Sequence, residues 1–306
     1  MKTLEDRYRY LLRLLPLWYW EKWAEDMVAT YLATELAGQE DPEFVEEHGR
    51  PSFGEVMSVA ALSLRLRLGG GSAPTRSVAW GAAVRTVVLI GLLVNAAGMV
   101  TNWTAAPWLG AFFAVLFGQV WIGRGLAVVG FGYSIYEAVV ATGKFFAGEP
   151  AFLFGGWSQV LINAGLVLGL AAFHREAQPT PQRPWLLALI AGVALELLPM
   201  LGWIRLEAGV WDAITIYSLI WFCATIGHLA VPAARLLSTT LTLVVVGWTL
   251  VVLRALSLAD VLAFFGPNSG YLLVGAAELA IALAALLPLL ILGSREREVT
   301  ADALDA

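Results

Sequence analysis

The sequence predicts an all-α protein: a polytopic membrane bundle of about eight transmembrane helices behind a small N-terminal cytoplasmic helical domain. Three observations predict it. First, 59% of the 306 residues are hydrophobic and only 14% charged, whereas soluble domains are about a quarter charged. Second, the charge is concentrated at the front, where residues 1–77 hold 9 of the 19 Lys and Arg and 12 of the 24 Asp and Glu. Third, from Val78 onward the chain is a series of apolar runs long enough to cross ~30 Å of hydrocarbon at about 1.5 Å per residue. Thirteen Trp and thirty Gly suit the same class, because Trp marks membrane interfaces and Gly lets helices approach closely.

The N-terminal quarter reads as short amphipathic helices. Over residues 3–15, Leu4, Tyr8, Leu11, Leu12 and Leu15 recur at helical spacing opposite Arg7, Arg9 and Arg13. Pro16 ends that helix. A second helix, about Leu17–Leu36, sets Trp20, Trp23, Met27 and Tyr31 on one face and Glu21, Lys22, Glu25 and Asp26 on another. The acidic, turn-rich stretch Gly38–Pro51 reads as a loop. Ser52 with Glu55 three positions on makes a capping box, and Phe53, Val56, Met57, Ala60 and Leu64 form the apolar face of a third helix. A core of about 60 residues is marginal alone, so this domain is expected to leave its aromatic face, Trp20, Trp23, Met27 and Tyr31, partly uncovered for docking onto a cytoplasmic protein. The run Gly69-Gly70-Gly71-Ser72-Ala73-Pro74 reads as a flexible linker. Arg65, Arg67 and Arg76 flank it and are expected to meet lipid headgroups. The division is therefore 1–67 helical domain, 68–77 linker, 78–292 transmembrane bundle and 293–306 cytoplasmic tail.

The spans fall at 78–100, 106–122, 125–142, 153–173, 185–203, 213–233, 238–256 and 269–292, with a tight turn expected at Gly123-Arg124-Gly125. Residues 1–30 are studded with charge and lack an apolar core, so no cleaved signal peptide is expected and the first span serves as the insertion signal. Arg124, Arg175, Arg183, Arg235, Arg295 and Arg297 fall on the same side as the basic N-terminal region. Lys144, Arg205 and Arg254 fall on the other, and this bias predicts both termini in the cytoplasm of a multi-pass plasma-membrane protein. A four-plus-four repeat finds support only in the Arg-marked turns at Arg124 and Arg235.

Ionisable groups inside lipid cost at least ~2.5–3.5 kcal/mol near a helix centre, so each needs a reason. Glu196 and Glu278 lie near the midplane of separate spans, Glu137 in the outer part of another, and Asn163 one turn after Gln159. Glu196, Glu278 and Asn163, with Glu137, form the candidate polar site; each carboxyl is open to a structural reading as a protonated helix–helix hydrogen-bonding group. Pro199 and Pro288 are expected to kink the spans carrying the two midplane carboxyls. Arg85 and Arg254 read as snorkelling to the interface, His228 as a packing residue, and Cys223 as a small buried hydrophobe. Gly165 and Gly169 make a GxxxG that speaks for close packing. No metal site or cofactor is expected, since no second His stands at ligand spacing and no HExxH occurs. The net charge of −5 argues against a nucleic-acid partner, which leaves the lipid bilayer and a cytoplasmic protein as the expected partners.

The string Arg7-Tyr8-Arg9-Tyr10-Leu11-Leu12-Arg13-Leu14-Leu15-Pro16-Leu17-Trp18-Tyr19, followed by Glu25-Asp26-Met27, resembles the opening of actinobacterial integral membrane proteins of the form YRxLLRLLPxxYR…EEM. It is similar also to the permease-prefix segments ahead of some ABC-type permease domains. Trp20 stands where that pattern often carries Arg. The resemblance implies a membrane protein that works beside cytoplasmic regulators through its N-terminal segment, and it carries over no functional residue.

Three functions follow in order. A regulatory or scaffolding membrane protein accounts for the N-terminal domain and its linker. A transporter of an ion or small molecule accounts better for Glu137, Glu196 and Glu278. An intramembrane enzyme comes third, because no GxSxG, Asp-rich prenyl-diphosphate motif or P-loop is present.

Overall fold

The computed structural model describes residues 3–37, 39, 41–71, 73–100, 102–149, 153–174, 177, 179–200, 213–231, 236–265 and 270–302. Arg175, Arg205 and Arg235, which bear on the expected topology, lie outside the described residues, as do the side chains of Pro199, Arg295 and Arg297. Among the described residues the fold is all α, with twelve α-helices and no strand. The chain divides into two compact units, Met1–Gly81 with His174–Ala177, and Ala82–Phe173 with Gln178–Ala306.

In the first unit α1 (Leu4–Leu12) begins at a full capping box, in which the Thr3 hydroxyl accepts from the Asp6 amide and the Asp6 carboxylate accepts from the Thr3 amide. Its buried face, Leu4, Tyr8 and Leu12, meets Ala24, Val28 and Tyr31 of α2 (Leu17–Leu36), with Trp18, Trp20 and Met27 packed around them. Pro16 occupies the N-cap of α2. Arg9 ties the helices from outside by bonding Glu5 at 2.8 Å and both carboxylate oxygens of Glu25 at 2.5 and 2.8 Å. These pairs are solvated and modest in energy.

Three expectations change here. The stretch read as a loop contains α3 (Pro42–His48), begun by the Asp41 side chain accepting from the Phe44 amide and by Pro at the first turn. Its end is held by the Arg7 guanidinium, which donates to the carbonyls of His48 (3.0 Å) and Gly49. In α4 (Phe53–Arg67), Ser52 does cap the helix, but Glu55 does not reach back to it. Glu55 instead accepts the Tyr8 hydroxyl at 2.8 Å. The face turned inward is Val59, Ser63 and Leu66, not the expected one: Phe53, Met57 and Leu64 are 80%, 52% and 40% exposed.

The first two glycines of the run read as a linker close the end of α4. Leu68 is the C-cap of α4, the Gly69 amide donates to the Leu66 carbonyl, and the Gly70 amide to that of Arg65 at 2.9 Å. That is a Schellman cap, with Gly69 at φ +86° in the left-handed position such a cap requires. A Cβ on Gly69 would lie 2.8 Å from the Val78 Cα, and one on Gly81 2.0 Å from the Leu68 carbonyl oxygen. The end of α4 therefore packs tightly on the first two turns of α5 (Thr75–Ala97).

The second unit contains α6 (Ala106–Leu116), α7 (Val120–Phe146), α8 (Leu153–Gly169), α9 (Gln182–Met200), α10 (Ala213–Ala230), α11 (Leu237–Phe265) and α12 (Gly270–Asp302). One core, around Leu92, Phe112, Leu166 and Leu170, joins α5 to α9; another, around Trp221, Leu286 and Leu289, joins α10 to α12. Helix α8 packs on both α7 and α11. Among the described residues five helices are long and apolar enough to cross a membrane: α5, α7, α8, α11 and α12. The apolar segments Trp103–Leu116 and Ile214–Ala230 are shorter.

The turn between α6 and α7 is another correction. It lies at Phe117-Gly118-Gln119, where Gly118 takes φ +80° and the Gln119 amide donates to the Ala114 carbonyl at 2.7 Å. Gly123, Arg124 and Gly125 continue α7, and a Cβ on Gly123 would sit 2.6 Å from the Val115 methyl. That glycine serves helix packing rather than a turn. In the GxxxG of α8 only Gly169 makes a close contact, against Val88 of α5; Gly165 faces open space. Helices α11 and α12 also overrun their expected ends at 256 and 292, α12 continuing through most of the expected tail as far as Asp302.

Candidate functional site

The four residues expected to form one polar site each stand in a hydrogen-bonded group of their own. Glu278, on α12, is ion-paired with Arg254 of α11, and its other oxygen accepts the Thr215 hydroxyl of α10 at 2.9 Å. Arg254 also donates to Thr215 at 2.7 Å. The two side chains are 10% and 18% exposed. Arg254 is thus inside the bundle, not snorkelling at a helix end as expected. Gly275, one turn before Glu278, makes the approach feasible, since a Cβ there would lie 2.5 Å from a Leu258 methyl and 3.6 Å from the Arg254 Cδ.

Glu196 of α9 accepts the Tyr217 hydroxyl of α10 at 3.0 Å. Asn163 of α8, fully buried, is the hub of a third group. Its carbonyl accepts from Asn95 of α5 and Gln159, both at 3.2 Å, and its amide donates to Ser134 of α7 at 2.8 Å. Glu137 is exposed and accepts from Asn102 (3.5 Å) and Thr104 (3.3 Å). Glu196, Glu278, Asn163 and Glu137 therefore do not share one site; each binds a different set of helices.

Asp260 was not anticipated. Only 1% exposed, it accepts from the backbone amides of Phe154 (3.0 Å) and Gly155 (2.7 Å) in the first turn of α8. It supplies the charge that a helix N-terminus attracts, from a position more than a hundred residues away. A lone Asp in the apolar run after Arg254 was the only available sign of it. His228 is buried and meets the Thr240 hydroxyl at 3.0 Å, while Cys223 is exposed on α10, against expectation.

A cavity of about 280 Å³ lies between α10 and α12. Leu219, Trp221, Phe222 and Ile281 line it, and Thr215 and Glu278 stand at its polar end. It is an apolar cleft with one neutralised carboxylate at its edge.

In the first unit the four residues expected to form the docking face separate. Tyr31 is buried and stacked on Tyr8 with ring centroids 3.9 Å apart, Trp20 and Met27 are partly buried against the core, and Trp23 alone is well exposed. Burial, with the nearby charges of Glu35 and Glu55, pushes the Tyr31 hydroxyl up to about 12. Burial and the hydrogen bond to Glu55 raise Tyr8 as well. Bonding to Arg9 holds Glu25 below the usual carboxylate range. Arg65, Arg67 and Arg76 are all exposed.

No family model matches the chain, and neither a curated protein nor a solved structure is similar to it.

Proposed function

We propose that the chain is an integral membrane protein of regulatory or scaffolding type, with both termini in the cytoplasm of a bacterial plasma membrane and a first unit that docks a cytoplasmic partner. Eight spans follow if α6, α9 and α10 join the five longer helices, and the even number agrees with the Lys and Arg bias. The N-terminal resemblance to permease-prefix segments supports the same reading. The observation that carries it is the state of the intramembrane polar groups. Glu278 is neutralised by Arg254, Glu196 is held by Tyr217, and Asn163 is engaged by three partners. A transport site needs polar groups converging on a common hydrated path, whereas these groups fasten helix to helix.

The transport reading keeps one supporting observation, the placement of Glu278 at the edge of the α10–α12 cleft. Proteoliposomes carrying the full chain separate the two. The regulatory reading expects no proton or cation flux above protein-free vesicles, and a cytoplasmic partner that co-purifies at fixed stoichiometry and is lost in W23A. Flux that disappears in E278Q or E196Q would replace it with transport.

A further inference from the structure

We propose that the outward stripe of α4 is an in-plane membrane anchor, seated on the anionic cytoplasmic lipid surface. The stripe consists of Phe53, Met57 and Leu64, with Ala60 and Ala61 between them. At about 100° per residue these positions fall on one side of the helix. Val59, Ser63 and Leu66, which face the domain core, fall on another. The helix therefore has two apolar sides, and the unit's own core covers only one of them. Leu14, itself 47% exposed, borders the stripe, because its carbonyl accepts from both Ser63 and Arg67.

What covers the stripe follows from where α4 ends. Its C-cap, Leu68, packs against Gly81, six residues into α5. At 1.5 Å per residue that is about 9 Å from the start of a helix long enough to span the bilayer. In-plane amphipathic helices bury their apolar face in the headgroup–acyl boundary, and the Schellman turn joins the end of α4 directly to the opening turns of that helix. Charge agrees as well: Arg65, Arg67 and Arg76, all exposed, cluster at that same end, where anionic headgroups attract basic side chains. The exposed stripe, its direct junction with a helix long enough to span the bilayer, and the basic residues together select lipid as the occupant. The inference does not depend on the docking role of Trp23, which lies on α2.

Depth-dependent quenching in the full chain tests it. In a C223A background, F53C and M57C carry a polarity-sensitive fluorophore, with S58C as an exposed position off the stripe. The protein is placed in nanodiscs of phosphatidylcholine and phosphatidylglycerol containing a lipid spin-labelled high on the acyl chain. Phe53 and Met57 are exposed, so their replacement leaves the core intact, and size-exclusion elution verifies the fold. The expected result is blue-shifted emission and strong quenching at positions 53 and 57, with little at 58. In R65Q/R76Q the quenching at 53 and 57 weakens at low salt; Arg67 is left in place because it also holds the Leu14 carbonyl. Equal, weak quenching at all three positions overturns the proposal. A blue shift at 53 and 57 without lipid quenching also overturns it, since protein would then cover the stripe.

Discussion

Replacing Arg254 with Met should be among the most damaging single changes in the second unit. The Arg254–Glu278 pair is nearly enclosed, at 10% and 18% side-chain exposure. Removing the cation leaves Glu278 with the Thr215 hydroxyl as its remaining partner seen here. Breaking a buried pair from one side costs about 3–5 kcal/mol, because the surviving charge is stranded in low dielectric. Converted at 2–4 °C per kcal/mol, the loss in melting temperature is roughly 6–20 °C. E278L takes the carboxylate from Arg254, which keeps its bond to Thr215, and should cost no more than R254M, whereas E278Q keeps an acceptor for Thr215 and should cost about 1.5–3 kcal/mol. The double variant R254M/E278L removes both charges and replaces them with apolar bulk. It should recover to within about 1 kcal/mol of the parent or exceed it. Melting of the four variants in detergent, followed by size-exclusion chromatography, reads the cycle. If R254M and E278L each shift the melt by under 2 °C and the double variant is their sum, the pair contributes nothing and the reasoning fails.

Asp260→Ala should cost about 1–3 kcal/mol by orphaning two first-turn amides, and D260N, which keeps one acceptor, about half that; faster hydrogen exchange at Phe154 and Gly155 localises the effect. Gly69→Ala should destabilise the first unit by more than about 1 kcal/mol, because φ +86° and a Cβ 2.8 Å from the Val78 Cα both oppose it, while G71A, strained by φ +66° but with its nearest contact at 4.0 Å, should cost less; thermal melts of the full chain compare them. Tyr8 and Tyr31 both hold their protons more tightly folded than unfolded, so their contribution is whole below pH 10, the unfolded value, and is lost as pH rises through the folded values, about 12 for Tyr31. The first unit should therefore lose near-ultraviolet circular dichroism between pH 10 and 12, and Y8F/Y31F should flatten that loss.

Apolar length was legible in the sequence because the bilayer reads it directly: a run such as 78–100 has few other fates, and α5 lies where composition placed it. Turns were less so. Gly118 and Gly123 stand five residues apart in similar surroundings, but one adopts a left-handed backbone and the other admits Val115. Only the packed neighbour distinguishes them. The inward face of α4 was misread for a related reason. Phe53, Met57 and Leu64 satisfy a core-facing period as well as Val59 and Leu66 do, and periodicity registers apolarity without naming what covers it. The individual polar residues could be picked out, since an ionisable group in lipid is conspicuous. Their partners could not. Glu196 meets Tyr217 across 21 residues, Glu278 meets Arg254 across 24 and Thr215 across 63, and Asp260 reaches Phe154 across 106. No local pattern encodes such pairings.

Those pairings also constrain any working cycle. Helix α10 carries both Tyr217 and Thr215, two residues apart, so it is fastened to α9 through Glu196 and to α11 and α12 through the Arg254–Glu278 pair. A cation entering the α10–α12 cleft would meet Glu278 already neutralised. It could bind only by displacing Arg254, which Thr215 also holds. A proton arriving at Glu278 would likewise end the ion pair, leaving the nearly enclosed guanidinium without its carboxylate. Either event is unfavourable unless α11 and α12 move apart to let Arg254 reach water. The same linkage runs in reverse: whatever shifts α10 strains two carboxylate contacts at once. An arrangement that resists ligand entry yet transmits helix movement suits a scaffold or sensor better than a carrier, which must load and release its cargo on each turnover.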